Sequence, residues 1–454
     1  MTVTTPAFAV VGGGISGLTA AFRLRQACGE DARITLFDPA EQLGGILRTV
    51  RLAGHAMDVG AEAFVARRPE VPGLLTELGM DSDQVETTGA RPLIYAGGRL
   101  HHLPAATVNG IPTSAESLTG LVDDDTLTQV AGEPLRPMSW TRGADPSVAA
   151  VVADRFGAQV VARSVDPMLS GVYAGSAATI GLRSAVPALA AALDQGAACL
   201  TAAARAALPP LTGEPVFRAL GGGYRRLIDE LERRSRVERV PAAITGLTLG
   251  ADGWHLRDGA GNGWHADAVV VAVPAAELPA LIEEVSPVGA AAAGRIPVAS
   301  SVVVALAVPG DTSLPHQSGV LVATGEHIRA KAVTLTSRKW RPGGDVELLR
   351  CSFGRYGDDV AKTVSDEHLV AWAIEDVSRL FGVTVGPVEV HVARWIDAMP
   401  QYAPGHAALV AQIRAGLPDS LALAGNYLDG IGVPACVASG TAAAARLTRA
   451  AVAR

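Results

Sequence analysis

Cysteine is scarce and scattered. The chain of 454 residues holds four, Cys28, Cys199, Cys351 and Cys436, and no two form a C-x-x-C pair. That spacing argues against a disulfide framework or a structural zinc site and suits a reducing cytoplasm. Long apolar runs are missing as well. Hydrophobic residues make up 49 % of the chain and mean hydropathy is +0.27, yet no stretch reaches the ~18 uninterrupted apolar residues of a spanning helix. No basic segment precedes the first apolar run, so no signal peptide is expected. A net charge of −7 provides no broad basic field, which makes nucleic acid an unsuitable partner. An anionic ligand would have to be met by local cations. No internal repeat and no Ser/His/Asp, Cys/His or metal-ligand constellation stands out, so neither a metal nor a side-chain nucleophile is expected.

What is present is concentrated at the two ends. Ala9-Val10-Val11 reads as a buried strand that runs into Gly12-Gly13-Gly14-Ile15-Ser16-Gly17 and then into a helix over Leu18–Cys28. Gly12, Gly14 and Gly17 have the G-x-G-x-x-G spacing: one glycine for the tight turn, one for close approach of a pyrophosphate, one for helix-on-strand packing. The helix start offers unpaired N–H groups and a positive dipole end to phosphates. A second strand, Arg33–Phe37, ends at Asp38, 21 residues after Gly17, where a ribose-binding carboxylate belongs. This chain is expected to bind a dinucleotide.

A second glycine pair, Gly44-Gly45, and the segment Met57–Phe64 follow closely. A nicotinamide enzyme has no evident need of them, whereas a permanently held flavin must be wrapped by backbone on several sides. At the far end, Leu421–Gly425 reads as a strand, followed by Asn426-Tyr427-Leu428-Asp429-Gly430-Ile431-Gly432-Val433-Pro434 and an Ala-rich helix over Ala435–Ala450. Pro434 suits a first helical turn. The helix start would favour negative charge on a reduced flavin. The expectation is therefore a discontinuous, Rossmann-type FAD-binding domain of α/β class built from both termini, with FAD as cofactor.

The layout resembles the amine-oxidase-like FAD proteins. More narrowly, it resembles the bacterial protoporphyrinogen/coproporphyrinogen oxidases of heme biosynthesis along nearly its whole length. The resemblance rests on Gly60–Arg68, Gly98–Pro104, Gly110–Thr113, Pro167–Gly175, Ala393–Tyr402 and Gly430–Cys436. Ser170-Gly171-Val172-Tyr173-Ala174-Gly175 and Trp395 with Met399-Pro400-Gln401-Tyr402 are the most telling, and the nearest likeness is to the soluble Gram-positive coproporphyrinogen III type.

That resemblance implies FAD contacts at Gly12 to Gly17, Asp38 and Pro39, Gly44 and Gly45, Gly60, Ala61, Glu62 and Ala63, Ile244, Trp395, and Gly432, Val433 and Pro434. It implies substrate-facing positions at Arg68 and Val172, and the glycine-flanked stretch around Tyr173 suggests that residue too. The family carries basic residues about the Gly-Gly pair, where this chain has Gln42 and Ile46; Arg48 is the nearest substitute. An acidic residue often follows the final Val-Pro, where this chain has Ala435. The implied reaction removes six hydrogens from a porphyrinogen in three flavin turnovers, with hydride passing to the flavin and O2 giving hydrogen peroxide. Coproporphyrinogen III is the expected substrate. Protoporphyrinogen IX, another FAD oxidase activity, and a non-catalytic flavin or porphyrin-binding scaffold stay open. Propionates would be met by Arg67, Arg68, Arg91, Arg99, His101 or His102, with Arg338 and Lys339 behind them. Transient contacts with other heme-pathway enzymes, and a cytoplasmic site with or without peripheral membrane contact, belong to the same expectation.

Three pieces, 1–70, 221–293 and 399–454, are expected to form the flavin domain. A mixed α+β substrate domain takes 71–88, 194–220 and 294–398, with strands at Ser300–Leu306 and Glu347–Phe353. A helical insertion takes 89–193, and Val122–Asp125 with Gly132-Glu133-Pro134 reads as a solvated loop. The Ala-rich region 183–213 reads as core helices, an apolar groove lining or a membrane-resting face.

Overall fold

The computed structural model describes residues 6–210, 213–340 and 344–452. Three distant stretches of chain meet in one five-stranded parallel sheet. Its order is Glu238–Val240, Arg33–Phe37, Ala7–Val11, Ala268–Val271 and Leu421–Leu423. Because Ala7–Val11 is central, its side chains are covered on both faces, which is why the strand is apolar throughout. Phe8 and Val10 enter a core with the helices Ile15–Cys28, Arg225–Ser235 and Val433–Val452. Ala9 and Val11 enter the opposite core, with Trp254 and Leu256 of a three-stranded antiparallel sheet. The first and last helices cross nearly backbone to backbone: a Cβ on Gly440 would stand 2.3 Å from the Ser16 carbonyl oxygen.

A seven-stranded sheet forms the second body, in the order Glu389–Pro400, Val298–Pro309, Val346–Phe353, Ala332–Thr334, Gly319–Val322, Leu93–Ala96 and Arg99–His102. Alternation along Val298–Pro309 divides its faces. Val302, Val304 and Leu306 meet the helix Asp366–Phe381, while Val303, Ala305 and Ala307 meet Leu52, Met57 and Val59. The third body is helical, packed around Phe156, Leu169, Leu189 and Leu200.

Several sequence expectations shift. Leu93–Ala96 and Arg99–His102, expected in the helical insertion, form a hairpin of the large sheet, turned by Gly97 and Gly98, both at positive φ. The helix Glu70–Leu78, expected with the substrate domain, buries Val71, Leu74, Leu75 and Leu78 in the first core. Leu200–Ala206, also placed there, packs in the helical body. The Asp-rich segment is not a solvated loop. Asp123 caps the helix Asp124–Gly132 by accepting the Thr126 N–H at 2.9 Å. Beyond it Glu133 is fully buried, its carboxylate taking Arg155 at 2.7 Å, the Leu200 and Thr201 N–H groups at 2.7 and 3.0 Å, and the Thr201 hydroxyl at 2.6 Å. The Ala-rich helices Leu182–Ala185, Pro187–Asp194 and Leu200–Ala206 are core helices of this body.

Removing one partner of such a pair leaves a buried charge. Arg155→Ala should therefore cost about 3–5 kcal/mol in chemical denaturation, and Arg155→Met combined with Glu133→Gln should cost clearly less.

Candidate dinucleotide and substrate site

The chain leaves Ala7–Val11 through Gly12 at φ +106, a left-handed turn where a Cβ would collide with the Ala272 carbonyl oxygen at 2.4 Å. Gly17 is fixed by packing, since a Cβ there would lie 1.9 Å from the Gly12 oxygen. Gly14 differs. Its backbone is ordinary (φ −70°, ψ 176°) and a Cβ would meet nothing within 4 Å. It faces open space at the start of the helix Ile15–Cys28, whose first turn holds no acidic residue. A diphosphate fits this cradle by charge and by shape, and a Cβ would enter its volume.

The second glycine pair lies on the first turn. Gly44 N–H donates to the Gly13 oxygen at 2.9 Å and bridges Gly14 in parallel. Asp38 ties the turn from the other side, its carboxylate accepting the Gly13 N–H at 2.6 Å and the Ala40 N–H at 2.8 Å. A cavity of about 290 Å³ opens here, lined by Gly12, Gly14, Ile15, Ser16, Asp38, Pro39, Gly44, Gly45 and Ile244. Ala398, Gly425, Asn426 and Cys436 line it too, so all three stretches of chain in the parallel sheet contribute. Gly13 and Gly17 shape the turn without lining this cavity.

Glu277, missed in the sequence, stands at the rim with Asp38. Partial burial and the Asp38 charge push its carboxyl above the usual range. Its position just after the strand Ala268–Val271, where ligands of open α/β sheets bind, was the available signal.

Gly60, Ala61, Glu62, Ala63 and Trp395 gather beside this cavity rather than in its lining. A Cβ on Gly60 would strike the Ile46 oxygen at 1.7 Å and approach the Trp395 ring to 3.2 Å. Trp395 Nε1 donates to the Val59 oxygen at 3.0 Å, and the Arg350 guanidinium donates to the Asp58 and Gly60 oxygens at 3.0 and 2.8 Å. Arg350, also missed, thus clamps this loop to the large sheet. Glu62 accepts Lys339 at 2.7 Å and the Thr336 hydroxyl at 3.1 Å. Burial pushes its carboxyl up, but the charges of Lys339 and Arg350 outweigh that and hold it at about 2. Gly432, Val433 and Pro434 open the terminal helix outside the cavity lining, and Cys436 N–H closes back on the Gly432 oxygen at 3.1 Å.

Of the residues expected to face substrate, Arg68 is half exposed and paired with Glu70 at 2.5 Å. Val172 is 51 % exposed. Tyr173 does not sit in an open loop. It ends the helix Asp166–Tyr173, is buried, and is fixed by Gln401 Nε2 donating to its backbone oxygen at 2.7 Å. Burial pushes its phenol up to about 12. Arg338 and Lys339 are used internally, on Glu347 at 3.0 Å and on Glu62. Arg67, Arg91 and Arg99 form no ion pair among the described residues.

The chain is similar to known proteins along nearly its whole length. The family model for flavin containing amine oxidoreductases covers residues 15–448. A coproporphyrinogen III oxidase of Mycobacterium bovis is 62 % identical over 435 residues, 96 % of each chain, and that of Bacillus subtilis is 27 % identical over 96 % of each. A solved structure from Exiguobacterium sp. 255-15, provisionally assigned as a protoporphyrinogen oxidase, superposes with a TM-score of 0.88 at 28 % identity, covering 98 % of this chain and 99 % of that one.

Two consequences are measurable. Gly14→Ala should leave the melting temperature of flavin-stripped protein unchanged yet weaken FAD binding at least tenfold in a fluorescence titration, about 1.4 kcal/mol. Gly17→Ala should lower that melting temperature itself. Asp58, buried beneath the Gly60 loop and hydrogen-bonded to Thr49 and the Tyr224 N–H, is raised to about 6 by burial. A raised acid stabilises the fold below its unfolded value near 4 and loses that contribution as pH rises through 6. Asp58→Asn should therefore gain stability over the native chain between pH 4 and 6.5, by up to about 3 kcal/mol. Denaturation at pH 4 and 7.5 reads the difference.

Proposed function

Because the chain belongs to the flavin containing amine oxidoreductases, we propose that it oxidises coproporphyrinogen III to coproporphyrin III with FAD as its cofactor, three O2 taking the six electrons as three hydrogen peroxide. The carrying observation is the 62 % identity to a coproporphyrinogen III oxidase across 96 % of both chains, joined to a cradle that fits a dinucleotide. When bound, FAD supplies the two-electron oxidising chemistry.

The chain's own residues do the rest. Gly14, Ile15 and Ser16 would receive the diphosphate at the start of a helix whose first turn holds no acidic residue. Asp38 and Glu277 would serve a ribose, and Ile244 and Pro39 give the cavity apolar walls. Arg350 and Trp395 hold the Gly60 loop rigid beside the cavity. Val172 and Arg68 offer an apolar contact and a cation to a macrocycle with acidic arms. Tyr173 acts as a positioning residue for Val172 rather than as a substrate contact. No side-chain base is assigned, and solvent can receive the pyrrole protons. No helix among the described residues is long and apolar enough to cross a membrane. All four cysteines are free thiols, which suits the cytoplasm.

Parallel aerobic assays with both porphyrinogens, corrected for autoxidation, test the proposal. Coproporphyrinogen III should be turned over much faster, and equal or reversed preference would reject the substrate assignment. Arg68→Ala should raise KM more for the four-carboxylate substrate than for the two-carboxylate one. The same change for both would remove Arg68 as an anchor.

A further inference from the structure

The tripeptide Gly-Trp-His occurs twice, at Gly253-Trp254-His255 and Gly263-Trp264-His265. Both copies lie in adjacent antiparallel strands, Gly253–Asp258 and Gly263–Ala266. Strand alternation sends each tryptophan inward and each histidine outward. Trp254 is fully buried, with Nε1 donating to Ser420 Oγ at 3.0 Å, and Trp264 packs edge-on against Phe37 at 5.1 Å. The outward histidines are direct cross-strand partners, with ring centroids 5.2 Å apart. Cross-strand neighbours on one face are close enough to share a ligand.

A carboxylate completes the group. Asp252, in the turn before Gly253, has Oδ1 2.9 Å from His255 Nε2, while His265 Nε2 lies 3.8 Å from its Oδ2 and 2.7 Å from its backbone oxygen. The three ligand atoms all fall within 4.8 Å of one another. Glycines leave the room they need. A Cβ on Gly250 would stand 2.9 Å from Asp252 Oδ1 and 3.1 Å from His255 Nε2, and one on Gly253 would stand 3.0 Å from His265 Nε2. Side chains at either position would crowd the ligand atoms.

We propose that Asp252, His255 and His265 form a surface site for a divalent transition metal of the Zn2+, Cu2+ or Ni2+ type, unconnected with porphyrinogen chemistry. Two imidazoles and one carboxylate suit these ions and not Mg2+ or Ca2+. Three protein ligands leave a fourth position to water. Binding would replace the imidazole contacts to Asp252 with metal bonds. Its structural effect is a staple across the hairpin whose inner face, through Trp264, supports Phe37 in the cofactor cavity wall.

The test uses flavin-loaded, chelator-treated protein titrated with ZnCl2 in a calorimeter and with CuCl2 in an electron paramagnetic resonance tube. One Zn2+ per chain and a Cu2+ signal split by two nitrogens are expected. His255→Gln and His265→Gln should each weaken binding at least tenfold and reduce the splitting to one nitrogen. Asp252→Asn should weaken binding while keeping both nitrogens, and His55→Gln, remote from the group, should change nothing. Absence of stoichiometric binding, or binding indifferent to both histidine substitutions, would overturn the proposal. The three residues are exposed, so circular dichroism of the variants is expected to match the parent.

Discussion

The contact on which the rest depends is the backbone crossing of Gly17 over Gly12. A methyl group at Gly17 would overlap the Gly12 oxygen, so only glycine lets the first helix start directly on the end of the first strand. That crossing aims the helix start at the cavity and leaves Gly14 facing it. The second glycine pair then sits on the turn, and Asp38 grips Gly13. Shifting the helix outward by the width of a methyl group would undo all of these contacts together.

Around this point the fold solves a problem of chain economy. Strands separated by hundreds of residues enter one parallel sheet, with Ala268–Val271 beside the first strand and Leu421–Leu423 beyond it. The final helix crosses the first through Gly440. The cavity is consequently walled by residues from both ends of the chain and from its middle, and no one segment could hold a dinucleotide alone. The large sheet is joined to this domain through an apolar seam about Val303 and Ala305 and through Arg350, which reads backbone oxygens rather than side chains. A cation bonded to carbonyls fixes the loop through its backbone, while Lys339 and Thr336 hold the Glu62 side chain separately.

Legibility in the sequence followed the range of the forces. The glycine turn, Asp38, the strands Arg33–Phe37 and Ser300–Leu306 and the terminal helix are local or strictly periodic, and each was visible. Glu277 and Arg350 were not, because their significance arises from chain segments far away. Tyr173 looked loop-borne from its glycine neighbours, yet a helix carries it inward and Gln401 fixes it. Glu133 looked solvated beside Pro134, whereas its meaning lies in Arg155 and Thr201. The Gly97-Gly98 turn was a readable hairpin signal, masked by the helical pattern that follows it.

The direct measurement of the central claim is the visible absorption spectrum of the purified chain. A flavin gripped by both termini predicts a yellow protein with one FAD per chain, released only on denaturation. A colourless protein that takes up no added FAD would contradict the account.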